Sequence, residues 1–113
     1  MDEREQATEE IRAILEEVAS RRRTIAYSEV VSKVRAMHLE PDSKLFAQIL
    51  DDISRYSNGE GRGMLSVVVV HKGDDYLPGP GFFKLGRELS RDTSDQLAFH
   101  STELRRVLDV FAR

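Results

Sequence analysis

The side chains able to do chemistry are few in this chain, and they stand apart. None of the 113 residues is cysteine, so disulfides, thiol nucleophiles and cysteine-based zinc sites are excluded together. His71, Asp74 and Asp75 lie close in sequence, and Asp51 or Asp52 would have to complete any metal set they form. No helical His-x-x-x-His and no acidic calcium-loop spacing accompanies them. Asp74-Asp75 between Gly73 and Tyr76 is instead the composition of an exposed turn. His38 and His100 are isolated near helix ends and read as packing or capping residues. No Ser/His/Asp set follows from spacing. The expectation is a protein without catalysis, cofactor or metal.

One backbone motif invites an anion. Pro78-Gly79-Pro80-Gly81 precedes a helical pattern, and a glycine-rich turn at a helix start presents free N–H groups. Lys72, Lys84 and Arg87 are near in sequence. The pattern is neither a P-loop nor a dinucleotide fingerprint. A rigid corner turning strand into helix explains it as well.

Basic residues point more directly to a ligand. Net charge is −3, but residues 1–20 hold seven acids against two arginines, so the remaining 93 residues carry +2. Phosphate neutralisation drives non-specific nucleic-acid affinity, and its footprint here would start at Arg21-Arg22-Arg23. Lys44, Gln48 and Arg55 would add contacts from a reader helix, and Arg62 and Lys72 from the loops beyond it. That helix also carries Asp42, Asp51 and Asp52, so contacts to phosphate outweigh contacts to base edges. The arginine run also suits the solvated end of a helix, where cations complement the dipole.

These side chains need elements to hold them. Ala7, Ile11, Ile14, Leu15, Val18 and Ala19 recur at steps of three and four, which predicts a first helix. Thr24–Tyr27 is a short β-prone stretch. Ser28 caps a second helix with Val30, Val31, Val34 and Met37 inward, ended by Glu40-Pro41. Asp42 or Ser43 caps a third, carrying Leu45, Phe46, Ile49, Leu50 and Ile53 and closed by Asn58-Gly59.

Residues 64–71, Met-Leu-Ser-Val-Val-Val-Val-His, form the principal strand, apolar on both faces and therefore buried. Tyr76-Leu77 is a short return strand after a turn. Phe82, Phe83, Leu85 and Leu89 mark a fourth helix, with Gly86 at a close contact, and Leu104, Val107, Leu108 and Phe111 a fifth that begins as early as Asp95. Ser101 is a further capping candidate, with Arg105, Arg106 and Arg113 on the outer face. This order predicts one α+β domain over residues 1–113. Its type is winged-helix-like: a three-helix core, a small antiparallel sheet and C-terminal helices. Helices two and three, joined through Leu39-Glu40-Pro41-Asp42, would be its helix-turn-helix pair.

Two resemblances accompany this reading. The run from Arg62 to Lys72, followed by Pro78-Gly79-Pro80-Gly81-Phe82-Phe83, resembles a signature of small uncharacterised bacterial proteins and implies no function. More weakly, Thr24–Leu89 is similar to the winged-helix DNA-binding domain of the O6-alkylguanine alkyltransferases. There a tyrosine-bearing helix start, here Tyr27-Ser28-Glu29-Val30, precedes a recognition helix, a valine-rich element and a glycine-bearing wing. The alkyl-accepting Pro-Cys-His-Arg motif of that family has no counterpart here, so alkyl transfer is excluded. Only a likeness of fold is implied, and fold does not fix function.

The function expected from the sequence is therefore binding without catalysis, with DNA as first ligand. The alternative is a protein-interaction module that makes no DNA contact, its sharper form a homodimer through Leu104, Val107, Leu108 and Phe111. The longest apolar run is Val67–Val70, and the acidic, polar start resembles no secretory signal, so a cytoplasmic protein is expected.

Overall fold

The first helix, α1 (Glu3–Ser20), begins at a complete capping box, in which Asp2 accepts from the Glu5 N–H and the Glu5 carboxylate accepts from the Asp2 N–H. Ala7, Ile11, Leu15 and Ala19, each four residues from the last, form its fully buried edge. The computed structural model describes residues 1–112. After α1 come β1 (Ile25–Ala26), α2 (Tyr27–Lys33) and α3 (Lys44–Gly59). A 3-10 turn over Leu65–Val68 runs into β2 (Val69–Val70), and α4 (Pro80–Glu88) and α5 (Gln96–Phe111) complete the order. The architecture is α+β and mostly helical.

Its sheet corrects the expected antiparallel one. β1 and β2 pair in parallel, Ile25 with Val69 and Ala26 with Val70. A parallel partner needs a long crossover, and α2 with α3 supplies it. Tyr76-Leu77 is not a strand. Tyr76 takes φ +57°, and Leu77 instead closes the turn by accepting the His71 N–H at 3.0 Å.

The valine-rich segment also departs from expectation. Residues 64–71 are buried through Val70, as their composition requires, yet only Val69 and Val70 are strand. The reason lies in α3 and α5. The Glu103 carboxylate accepts the Met64 N–H (2.8 Å), Ser57 Oγ the Leu65 N–H (3.0 Å) and Ser54 Oγ the Ser66 N–H (2.9 Å). Side chains thus hold three consecutive amides that a strand would have offered to a neighbour. Gly63 turns the chain into this arrangement at φ +82°, where Val107 and Glu103 leave no room for a Cβ.

The second helix is shorter than its pattern predicts. Glu10 of α1 accepts the backbone N–H of Arg35 (3.0 Å) and Ala36 (2.9 Å), and Val34 is already extended. Ten residues, 34–43, then separate α2 from α3, where a helix-turn-helix joins its pair by three or four. Ser43 caps α3, as expected, by accepting from the Phe46 N–H. Asp95 rather than Ser101 caps α5, through the Ala98 N–H. Gly86 fills the close-contact role assigned to it, since a Cβ there would stand 2.9 Å from Thr93 Cγ2 and 3.1 Å from Phe99.

A single buried cluster joins α1, α3, the 3-10 turn, α4 and α5. Tyr27, Val31, Val34 and Met37 pack on it from the α2 side. The Cα radius of gyration is 13.0 Å, close to the ~13 Å of a compact 100-residue chain. The C-terminal helix is therefore folded back on the rest. No helix among the described residues is long and apolar enough to cross a membrane.

Candidate functional site

Parallel strands followed by helices leave a crevice at their C-terminal ends, and a wide cleft lies there. It encloses about 670 Å3 between the ends of β1 and β2 and the starts of α2, α3 and α4. Phe46, Leu50, Val70 and Phe82 line it with apolar surface. Tyr27 stands in the wall, stacked on His71 at 4.5 Å between centroids and edge-on to Phe46 at 6.1 Å. The Tyr27 hydroxyl accepts the Gly79 N–H at 2.8 Å and so ties the Pro-Gly-Pro-Gly corner to β1. Burial pushes the Tyr27 phenol above its ordinary value, partly offset by that N–H; nearby Asp51 raises it further.

Asp51, half-buried in the same wall, is raised for the same first reason, desolvation. Arg55 and Lys84 oppose that shift, while Glu88 and Asp52 add to it. Ser66 also faces the cleft, but Ser54 Oγ donates to its Oγ at 2.6 Å, and neither a histidine nor a carboxylate hydrogen-bonds to it. No group of three or more metal-ligating side chains comes together among the described residues. Asp74 and His71 share the cleft lining with Asp51, while Asp52 pairs with Arg4 at 3.1 Å.

The eight predicted nucleic-acid contacts are divided by the fold. Arg23 and Lys72 line the same two depressions, of about 390 and 350 Å3, beside the sheet. Arg21 borders the first of these and pairs with Glu17 at 2.5 Å; Arg22 borders the second and pairs with Asp109 at 2.8 Å. Lys33, absent from the sequence reading, joins the first depression from the end of α2. Lys44 and Gln48 are exposed on the first turns of α3. Arg55 is paired with Glu88. Arg62 lies past the far end of α3, which at ~1.5 Å per residue is about 24 Å long. There it pairs with Glu60 at 3.4 Å and covers the Phe111 ring at 4.1 Å. It belongs to a different surface.

The C-terminal stripe faces inward. Val107 is fully buried in the chain's own core, and Leu104, Leu108 and Phe111 pack half-buried against it. The large apolar side chains that α5 leaves exposed are Leu97 and Val110. Arg105 and Arg106 are exposed, and Arg113 lies outside the described residues.

Sequence reasoning missed a fully buried carboxylate. Glu103 has no exposed surface, and its carboxylate meets Arg91 Nη2 at 2.5 Å and Nη1 at 3.2 Å besides the Met64 N–H. A lone glutamate among Leu104, Val107 and Leu108 looks like solvent-facing punctuation in a helix. The signal was its place between Phe99 and Val107, four residues from each, on the apolar edge.

His100 is buried as well, and its Nε2–H donates to the Val67 carbonyl at 3.3 Å. Burial lowers its pKa below 6.5, against smaller raising effects from that carbonyl and from Asp75. Well above 6.5 the imidazole is neutral whether the chain is folded or not, so the shift has no effect there. Below 6.5 the unfolded chain takes up a proton that the folded chain refuses, and stability falls until the folded pKa is reached. Melting temperatures recorded between about pH 5 and 8 should drop on the acid side. In His100→Gln that drop should shrink; an unchanged profile would assign it to other groups.

No protein-family model, curated protein or solved structure matches the chain.

Proposed function

We propose that the protein binds DNA without catalysis, gripping the phosphate backbone in a winged-helix-like manner. Arg23 and Lys72 carry this reading. One precedes β1 and the other follows β2, they flank the same depressions, and neither makes an ion pair with a described residue. Two free cations at one place are what a phosphate requires, and Thr24 beside them adds a hydroxyl donor. In this arrangement the turn over residues 71–77 plays the wing. Lys33, Arg21 and Arg22 widen the footprint, and Lys44 and Gln48 on α3 are the reader contacts. Arg55 and Arg62 contribute least, being held by Glu88 and by Glu60 with Phe111. The alternative of self-association has less to support it, because Val107 is buried and Leu104, Leu108 and Phe111 pack half-buried on the core of their own chain.

Phosphate contacts release counterions, so affinity for a random duplex should fall steeply as salt rises. Gel-shift titrations at two salt concentrations measure that slope. Arg23→Ala and Lys72→Ala should each reduce it by about one, and Arg62→Ala should leave it unchanged. Absence of binding even at low salt would end the proposal.

A further inference from the structure

The large cleft holds an acceptor that the fold does not use. Asp51 makes no hydrogen bond or ion pair with any described residue, although it is half-buried in a wall that is mainly apolar and Arg55 and Lys84 stand near enough to act on its charge. Asp42 and Asp74 stand in the same lining, and Lys72 is the one lysine or arginine there. The competing expectation is an anion, because α3 and α4 both start at this cleft. Oxygens of the fold already occupy key donors at those starts. Ser43 Oγ takes the Phe46 N–H, the Tyr27 hydroxyl takes the Gly79 N–H, and Pro80 has none to offer. What is left over is a carboxylate in a lining that also holds Tyr27, Phe46 and Phe82, of which Tyr27 is the least buried.

We propose that this cleft binds a small molecule carrying an ammonium or guanidinium group on a flat apolar body. The cation sits against Asp51, and the body lies among Tyr27, Phe46 and Phe82. Aromatic rings attract cations as well as apolar surface, so both halves of such a ligand find a partner. A volume of about 670 Å3 falls within the ~300–1,000 Å3 usual for small-ligand pockets. The site adjoins the DNA surface, sharing Lys72 with it and taking His71 and Asp74 from the 71–77 turn, but it does not include Arg23.

Three probes of one shape and different charge test this: phenethylamine, 2-phenylethanol and hydrocinnamate, each titrated into the full chain and followed by NMR. Phenethylamine should bind saturably and shift the resonances of Tyr27, Phe46 and Val70 ahead of the other two. Asp51→Asn should weaken it by about tenfold, the scale of a lost charge-assisted hydrogen bond. Asp74→Asn, at the exposed edge of the lining, should change its affinity far less. A retained amide spectrum verifies that each variant is folded. Equal binding of the alcohol, preference for the carboxylate, no saturable shift, or an Asp51→Asn variant that binds as well as wild type would each overturn the proposal. Loss of DNA binding in Arg23→Ala alongside normal phenethylamine binding would show that the two surfaces fail or stand separately.

Discussion

Arg91→Leu should lower the unfolding free energy by about 3–5 kcal/mol, the usual cost of leaving a buried charge without its partner. Glu103 has no exposed surface, and Arg91 grips both of its carboxylate oxygens from the loop between α4 and α5. Without the guanidinium, the Met64 N–H is the single hydrogen bond that remains to the carboxylate. Arg91 also covers the Phe99 ring, at 5.3 Å from its centroid, so some packing is lost with the charge. A loss of this size is a large share of the ~5–15 kcal/mol that holds a typical domain together. Urea denaturation measures it. The double variant Arg91→Leu with Glu103→Leu should recover much of the loss, because two apolar side chains need no compensation. If Arg91→Leu costs less than about 1 kcal/mol, the pair behaves as an exposed one, and Glu103 is reached by water.

Gly63→Ala should be nearly as damaging, for two separable reasons. At φ +82° an alanine bears backbone strain of about 1–3 kcal/mol. Its Cβ would also stand 2.9 Å from Val107 Cγ2 and 3.1 Å from Glu103 Oε2, and overpacking of that kind costs about 1–3 kcal/mol more. Relief requires α5 to shift, which would pull Glu103 away from Met64 and Arg91. The melting temperature should fall by roughly 10 °C or more. Gly61→Ala separates the two causes. Gly61 has a similar φ of +78° but no atom within 4 Å of the added Cβ, so that variant shows the backbone cost alone. Equal destabilisation by both substitutions would mean that α5 yields freely and the contact at Gly63 is slack.

Both variants act where sequence and structure part company. The five helices are legible from apolar residues three and four apart, since a helix that buries one face must show that period. The cap at Ser43 follows the same local logic, because an N-cap bonds to an amide only three residues away, but Ser28 is not the cap of α2, which starts at Tyr27 after Ala26 with no side-chain cap. The pairing of 25–26 with the valine run was legible too, as the run needed a neighbour and Thr24–Tyr27 was one of two candidates. Its direction was not, and neither was the conformation of residues 64–68.

Those features depend on groups distant along the chain. Glu10 stops α2 by binding amides 25 and 26 residues away, and Ser54, Ser57 and Glu103 take the amides of 64–66 from 8 to 39 residues away. A valine run has a strong preference for extended backbone, but where its N–H groups find acceptors is decided by whichever oxygens the packed helices bring. The same holds for the sites. The sequence by itself determined that no thiol chemistry is possible and that the positive balance of charge lies after residue 20. Only tertiary structure decided that Arg23 and Lys72 line the same depressions while Arg62 does not, and that Asp51 stands in a cleft without a hydrogen bond or ion pair to a described residue. Charge and hydrogen bonding act through space over a few ångströms, and chain order says little about which atoms come that close.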